Sequence, residues 1–576
     1  MRRAIAIAFM VTTLFVPGWS AMAGEQVDDV RLRAMSDELQ RSLTSLSLPD
    51  HEKPYYIRYS LYETIDFSVD AKLGAVSSRS GSRQRTLDVD VRVGSYESDS
   101  SNFNDSTGGG PSWSGTSATE VGVDDDYMGI RRSFWLATDS AYKKAVAARD
   151  AKKAHYLQKK ESDHLDDFSR APAVQVIQEP GRLAKDVDRI SERETWTERV
   201  RDLSGVFRDF PRVRSSWVRY DERVINTWLV NSEGSRVRTA ERACRVMVAA
   251  CCQADDGSPS SDQLVFIAHD RNDLPSREEM MDRTRELAAT LTRLANAPAA
   301  RTYEGPLIFE GEAAASFVSS ILAPSIKAHR AVPSDTQSDT SIDNPLEKKI
   351  GLRIMPTFLS VTDDPTARTY RGVPLMGGYD VDDEGVLARP VKVVESGFLR
   401  TFLSGRTPSK TNKESNGHGT TTGEAKTSVL ILDSTRSMGE SRLHRRLRKL
   451  ARESGLDHAV VVSKLDNLYQ INFLDELSSW SDALLIAGAK LPSPVVMYEV
   501  SLKDGKRKLV RGSTFGASTM RILKDIVATG GDARVYAVET ASNNYGHVIT
   551  PSLLVQEVEI LEAENNIKPP ELPNPF

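Results

Sequence analysis

The sequence predicts an α+β protein, an N-terminal mixed α/β region followed by a β-rich C-terminal domain with hairpins and flanking helices. Three observations lead there. Apolar residues at period two come in runs joined by Gly-containing turns. Helical stripes at period 3.6 stand between those runs, without the regular strand–helix alternation of a doubly wound sheet. A chain of 576 residues also exceeds what one hydrophobic core organises, so two or three domains are expected.

Arg2 and Arg3 precede an apolar run from Ala4 to Val16, and Ala21-Met22-Ala23 supplies a small–x–small site. This pattern predicts a secretory signal over 1–23, cleaved after Ala23. No later stretch approaches the ~20 consecutive apolar residues of a membrane helix. The mature chain is therefore expected in the periplasm or outside the cell, with no membrane span after signal removal.

The elements follow in order. Residues 25–48 predict an amphipathic helix, with Leu32, Met35, Leu39 and Leu43 on one stripe. YYIRYSLYETIDFSVDA reads as a strand, and Leu87, Val89, Val91 and Val93 alternate with polar residues as in a half-buried antiparallel strand. The stretch Tyr96 to Glu120, rich in Ser, Gly, Asn and Asp, is expected as a loop too polar to pack. Residues 126–168 are helical and end in a Lys-rich run expected as a solvated face. Strands return from Val213 to His269, with Asn231-Ser-Glu-Gly234 as a hairpin turn. Ser276-x-x-Glu279 is a capping box for a helix whose one face is Met280, Thr284, Leu287, Leu291 and Leu294.

Gly305 to Pro324, GPLIFEGEAAASFVSSILAP, carries a small-residue helix signal led by Glu310 and Glu312. Beyond a polar linker, Pro333 to Asn344, come turn signals at Asp383-Glu-Gly385, Glu395-Ser-Gly397 and Asp504-Gly505. A polar loop, Ser404 to Glu424, contains SNGHG. SVLILDS then reads as a strand, SRLHRRLRKLARESG as a basic helix stopped by Gly455, and HAVVVSKL as another strand. The expected divisions are a signal at 1–23, an α+β domain at 25–170, a central α+β region at 171–332 and a β-rich domain at 345–576.

Composition narrows the function. With 39% hydrophobic and 27% charged residues the chain is an ordinary globular protein. Its 75 basic and 80 acidic residues are interspersed and leave no footprint for nucleic acid. The cysteines are Cys244, Cys251 and Cys252. Adjacent strand residues point to opposite faces, so one of the last two is expected buried and the other not. A disulfide from Cys244 to Cys251 or Cys252, or three small core residues, are both open.

No two of the nine His lie within five residues of each other, so no local two-His zinc motif can be drawn. There is no G-x-S-x-G elbow and no P-loop. The candidate catalytic residues are Glu310, Glu312 and His418. Two carboxylates in an extended lead-in share a face and could exchange a proton with substrate; at a helix start they complement the dipole instead. His418, between glycines, could approach a ligand or be solvated.

With these segments in place the chain resembles the TldD/PmbA family of metallopeptidase-related proteins, also described as modulators of DNA gyrase. The resemblance is carried by DVDVRVG, LVNSEGS, CCQADDG, GPLIFEGEAAASF, VTDDPTA, YDVDDEGVLARP, VVESGFLRTFLSGR, SNGHG, YEVSLKDGKRKLVRG, TFGASTMRILKDIVATG, TPSLLVQEVEI and KPPELPNP. It implies the TldD/PmbA fold. Catalytic members hold zinc with an H-E-x-x-x-H helix and a C-terminal Cys. Here FEGEAA occupies that stretch, with Phe309 and Ala314 near the two His positions, and all three Cys precede residue 253. The resemblance therefore implies a PmbA-like member with a degenerate metal-site helix near 305–324 and no cofactor of its own. Its expected partners are a zinc-bearing TldD-like subunit or a second copy, and its expected substrate a peptide or unfolded protein. A stand-alone hydrolase using Glu310, Glu312 and His418, and a non-enzymatic envelope binding protein, are the alternatives. The gyrase association does not transfer to an exported chain.

Overall fold

A computed structural model describes residues 29–104, 119–159, 165–178, 190–333, 344–466, 491–517, 520–539 and 545–563. The expected signal and its cleavage site, and most of the linker after Pro333, lie outside the described residues.

The N-terminal half runs α1 (Val30–Ser45), β1 (Pro54–Lys72), β2 (Ala75–Val93), β3 (Thr119–Val121), α2 (Tyr127–Lys159), β4 (Gln175–Ile177), α3 (Ile190–Gly205), β5 (Val213–Asn231), β6 (Arg236–Gln253), β7 (Pro259–Ala268) and α4 (Arg277–Ala295). Its strands form one sheet in the order β3-β2-β1-β5-β6-β4, with β7 also on β6. The alternation seen in the sequence decides the two faces. Leu87, Val89, Val91 and Val93 are buried on the face covered by α1 and α2, with Leu32, Met35 and Leu39 of α1 packed against them. Ile65, Phe67, Val224 and Val246 on the same face lie under α3 and α4. Ser276 caps α4 as expected, its Oγ accepting from the Glu279 N–H at 3.1 Å. The Asn231 turn also forms, its Oδ1 accepting from the N–H groups of Glu233 and Ser235.

The opposite face of this sheet is polar. Along β1 the residues Tyr62, Thr64, Asp66, Ser68 and Asp70 are half-buried while their apolar neighbours are buried. Because β1 pairs with β5, this single sheet runs through the division drawn at residue 170.

The C-terminal half contains β8 (Tyr303–Phe309), α5 (Glu312–Ile321), β9 (Leu359–Asp363), β10 (Thr369–Tyr370), β11 (Val373–Pro374), β12 (Val391–Glu395), β13 (Phe398–Leu399), β14 (Val429–Ser434), β15 (Ser437–Met438), α6 (Glu440–Glu453), β16 (His458–Leu465), β17 (Pro494–Ser501), β18 (Arg507–Val510), β19 (Ser513–Phe515), β20 (Ile526–Gly530), β21 (Arg534–Glu539), β22 (Tyr545–Thr550) and β23 (Leu553–Glu562). One sheet runs β13-β12-β9-β14-β22-β21 and the other β15-β20-β23-β8-β16-β17-β18, with β19 on β23. Side chains of both sheets and of α5 join in one apolar core. The basic helix α6 lays Leu443, Leu447 and Ala451 on Ile308, Val461 and Leu554 of the second sheet, and its arginines Arg442, Arg445 and Arg446 face solvent.

Several expectations are corrected by packing. The first part of GPLIFEGEAAASFVSSILAP is not helix but a central strand, β8, paired with β16 and β23. The stretch after Tyr96 does pack: Asp99, Ser101, Asn102 and Phe103 are buried. Asp99 accepts from the Tyr55 hydroxyl at 2.8 Å and the Ser101 N–H at 2.6 Å, so each polar group brings its partner inside. Lys152, in the run expected as a solvated face, is 2% exposed and donates to Asp167 and to the Ser101 carbonyl.

The loop from Ser404 to Glu424 is also interior, with Ser404, Arg406, Ser409, Asn416 and His418 buried. Arg406 fastens the halves together. Its guanidinium donates to the Ser169 carbonyl at 2.6 Å and to Glu233 at 2.7 Å, and lies 3.9 Å from the Phe168 ring centre.

The three cysteines are free and all buried, against the expectation that one of the adjacent pair would be exposed. Cys244 and Cys251 are seven positions apart on β6, about 23 Å at ~3.3 Å per residue, which is far beyond disulfide reach. Burial pushes the Cys244 and Cys252 thiols up to about 12, which keeps them protonated and unreactive. Among the described residues no helix is long and apolar enough to cross a membrane.

Candidate functional site

Two polar neighbourhoods carry the titratable groups that matter for function. The first is the turn between β8 and α5. The strand stops after Phe309 because Gly311 takes φ +59°, a left-handed conformation that glycine adopts without strain. Glu310 and Glu312 diverge from this turn. The Glu310 carboxylate accepts from Ser463 Oγ at 2.7 Å and from Arg507 at 2.6 and 3.1 Å. His444 stands 3.7 Å away, with desolvation and then Arg507 lowering its pKa. Glu312 instead pairs with Lys464 at 3.4 Å, whose ammonium also meets Asp262 at 2.6 Å. Each carboxylate thus has its own cation, and they do not form a proton-sharing pair.

Phe309 and Ala314, the positions near which the resemblance places zinc ligands, are both fully buried. The Phe309 ring packs 4.7 Å from Phe317 and 5.9 Å from Phe515. An aromatic ring and a methyl group offer no donor atom, so these residues do not fit a zinc ion.

His418 is an interior rivet rather than a loop residue open to ligand. It is 0% exposed. Its Nε2 lies 3.1 Å from Asp363 Oδ1 and its Nδ1 3.0 Å from Asn416 Oδ1. Asp363 also accepts from the Ser428 N–H at 3.0 Å, so the pair ties the SNGHG loop and the residues before β14 to the end of β9. No hydrogen bond or ion pair among the described residues joins His418 to Glu310 or Glu312, and the three candidates do not form one constellation.

The second neighbourhood lies over the polar face of the N-terminal sheet, where the segment 379–387 of the C-terminal half, with Lys426, meets Arg58. Lys426 binds Asp383 at 2.7 Å and sits 4.3 Å from the Tyr379 ring centre. Arg58 of β1 donates to Asp88 of β2 at 2.9 Å and to the Asp383 carbonyl at 3.2 Å. Glu241 of β6 pairs in register with Ile225, Ile225 with Thr64, and Thr64 with Gln84, so its side chain shares the face of Tyr62 and Asp88. Glu241 is exposed, yet desolvation raises its carboxyl above the ordinary range, an effect that Lys426 only partly offsets.

The same segment carries two buried carboxyls. Asp382 accepts from the N–H groups of Glu384, Val386 and Gly419, and burial raises it to about 6. Glu384 accepts from the Arg406 N–H at 2.6 Å; burial, then the Asp382 charge, raises it to about 7. Its carboxylate lies against Gly405 and Gly419, where a Cβ on Gly405 would come within 2.6 Å of Oε2. Nearby, His547 Nδ1 accepts from the Met376 N–H at 2.9 Å, and burial followed by His269 lowers it to about 4. Of these residues Asp88 stood in DVDVRVG and Tyr379, Asp382, Asp383 and Glu384 in YDVDDEGVLARP, motifs that carried the family resemblance without assigning them a role. Glu241 had one weak signal, a charge on the otherwise mixed face of a long strand.

Residues 302–465 match the family model of the PmbA/TldA metallopeptidase C-terminal domain. The fold and this domain are those of the TldD/PmbA family. A metalloprotease of Methanothermobacter thermautotrophicus is 26% identical over 248 residues, covering 41% of this chain and 48% of that protein. A second metalloprotease, from Methanocaldococcus jannaschii, is 31% identical over 94 residues, covering 16% of this chain and 20% of that protein. The matched stretches thus span at most about half the length of these relatives. Among solved structures, a Thermotoga maritima protein described as a modulator of DNA gyrase superposes with a TM-score of 0.57 at 17% identity, over 88% of this chain and 96% of that one. TldE from Thermococcus kodakarensis does so with a TM-score of 0.56 at 14% identity, over 92% of this chain and all of its own. The TldD/PmbA fold expected from the sequence motifs is the fold observed.

Proposed function

We propose that this chain is an exported, PmbA-like subunit that acts in proteolysis beside a zinc-bearing TldD-like partner, without a zinc site of its own. The observation that carries the reading is the β8–α5 turn. Phe309 closes a strand and Ala314 sits inside a helix, both in the apolar core, while Glu310 and Glu312 are engaged by Arg507 and Lys464. Nothing there can be rearranged into a ligand set without emptying the core. The metalloprotease relatives support a peptide or unfolded protein as the substrate class. The polar sheet face suits an extended peptide, because it offers hydrogen-bonding side chains along several strands.

Elemental analysis of the purified mature protein, alone and after co-expression with a relative carrying H-E-x-x-x-H, tests the proposal. Zinc and peptide cleavage are expected only in the co-expressed complex. Stoichiometric zinc in the isolated chain, or cleavage by it alone, would sink the reading in favour of a stand-alone hydrolase.

A further inference from the structure

We propose that the exposed face of α6, with the turn between β17 and β18 beside it, docks on an anionic phospholipid membrane surface. The docking is peripheral and electrostatic, and it does not depend on the proteolysis reading above.

The helix has two opposed sides. Leu443, Leu447 and Ala451 are buried on the second sheet. Arg442, Arg445, Arg446 and Lys449 follow at three- and four-residue steps, so they share one side, and all four are exposed. With Arg448 and Arg452, six of the 14 helix residues are Lys or Arg, against two acidic residues at its ends, Glu440 and Glu453. Glu453 meets Lys449 at 3.6 Å, but no ion pair among the described residues engages Arg442, Arg445 or Arg446. Like charges at this spacing repel one another and weaken the helix that carries them. The fold gains nothing from that arrangement, whereas an opposing anionic surface turns the repulsion into attraction.

The hairpin widens the patch. Arg452 donates to the Leu502 carbonyl, and a Cβ on Gly505 would come within 3.2 Å of the Arg448 guanidinium. Arg507, at the start of β18, lies 3.1 Å from His444 Nε2. The turn therefore lies along α6, and its exposed Lys503 and Lys506 add cations beside those of the helix. Asp504, 3.5 Å from Lys506, is the one acidic residue there. The whole chain carries a formal charge of −5, so attraction to an anionic surface arises from this patch and not from net charge.

The shape of the patch selects the partner. A helix that reads a nucleic-acid groove must stand clear of its neighbours, and α6 is packed on the sheet and flanked by the hairpin. Neither α6 nor the turn contains a Phe, Tyr or Trp on which a base could stack. A lipid surface asks only for many cations on one face, within a Debye length of the head groups. Because the apolar side of α6 is buried in the core, nothing inserts into the acyl region and binding is reversed by salt.

The test is co-sedimentation of the full mature chain with lipid vesicles. Vesicles of phosphatidylcholine alone are compared with vesicles in which about one lipid in three is phosphatidylglycerol. Binding is expected to the anionic vesicles only, and is lost at high salt. The triple variant Arg442→Gln, Arg446→Gln, Lys449→Gln should weaken it on the order of a hundredfold, at about fivefold per cation. The double variant Arg442→Lys, Arg446→Lys should retain it. Removing three cations from α2 instead, with Lys143→Gln, Lys144→Gln and Lys153→Gln, should change it by less than about threefold. All these side chains are exposed, and thermal melting confirms that the variants fold. No binding to anionic vesicles, equal binding to both kinds, undiminished binding in the α6 triple variant, or an equal loss in the α2 variant overturns the proposal. Tighter binding to duplex DNA or structured RNA than to vesicles, lost in the α6 triple variant, also overturns it and assigns the face to a nucleic acid.

Discussion

Glu310, just beyond the end of β8, and Glu241, within β6, stand in opposite electrostatic situations. Glu310 is met by Arg507, Ser463 and His444. Glu241 meets no partner among the described residues and is left with a raised pKa. The first neighbourhood is where the family resemblance directs attention, and the chain has neutralised it internally. The second holds residues of DVDVRVG and YDVDDEGVLARP but no catalytic signature, and there Glu241 has no hydrogen bond or ion pair among the described residues. An internally satisfied group contributes to stability and has little left to offer a ligand; an unsatisfied one contributes nothing to the fold and is available for binding.

The largest effect should come from breaking a satisfied charge at the joint of the two halves. Arg406 is fully buried and serves Glu233, the Ser169 carbonyl and the Phe168 ring. Arg406→Ala leaves Glu233 without its cation and is expected to cost about 3–5 kcal/mol in denaturant unfolding. Arg406→Lys should recover only part, because an ammonium cannot reproduce the fork of donors. A loss under about 1 kcal/mol for the alanine variant would show that the halves are held together elsewhere.

The pH dependence comes next. Glu384 and Asp382 are raised by burial from 4.5 and 3.8 to about 7 and about 6. Raised carboxyls favour the fold while protonated, so their contribution is complete below about pH 4 and is lost as pH rises through 6 and 7. His547 acts in the opposite sense. It is lowered from 6.5 to about 4, so its contribution is present above pH 6.5 and is lost as pH falls toward 4. Each group is expected to be worth about 1–3 kcal/mol. Melting temperatures measured from pH 4 to 8 should separate them: Glu384→Gln removes part of the alkaline loss and exposes the acid limb, while His547→Asn flattens the acid limb. Unchanged profiles in both variants would place these groups in contact with water.

The same contrast explains what could be read from the sequence. Helix α4 was legible to the residue, since Ser276 caps it and Met280, Thr284, Leu287, Leu291 and Leu294 are all buried. Local rules suffice there. Strand β8 was not legible as a strand, because an apolar run buried on both faces has no alternation to separate it from a buried helix. The Asp99 and His418 loops looked solvated because composition reports polarity but not the partners that let polarity be buried. The second neighbourhood was hidden for a stronger reason. Asp88 and Asp383 meet only where Arg58 of β1 bonds both, Asp383 lying some 300 residues further along the chain, and no spacing within the sequence encodes that.

The smallest prediction puts the two glutamates side by side. Glu310→Gln removes the negative partner of Arg507, whose side chain is 34% exposed. Solvent-screened pairs of this kind are worth up to about 1 kcal/mol, so the variant should be modestly less stable, and less so in high salt. Glu241→Gln removes a charge with no partner to lose, and its stability should change by no more than about 0.5 kcal/mol, in either direction. Peptide binding should be unchanged in Glu310→Gln, whose carboxylate is already engaged by Arg507 and Ser463. If Glu310→Gln is the variant that loses binding, the β8–α5 turn reaches the substrate after all, and its ion pairs would be part of a site that opens when the partner subunit docks.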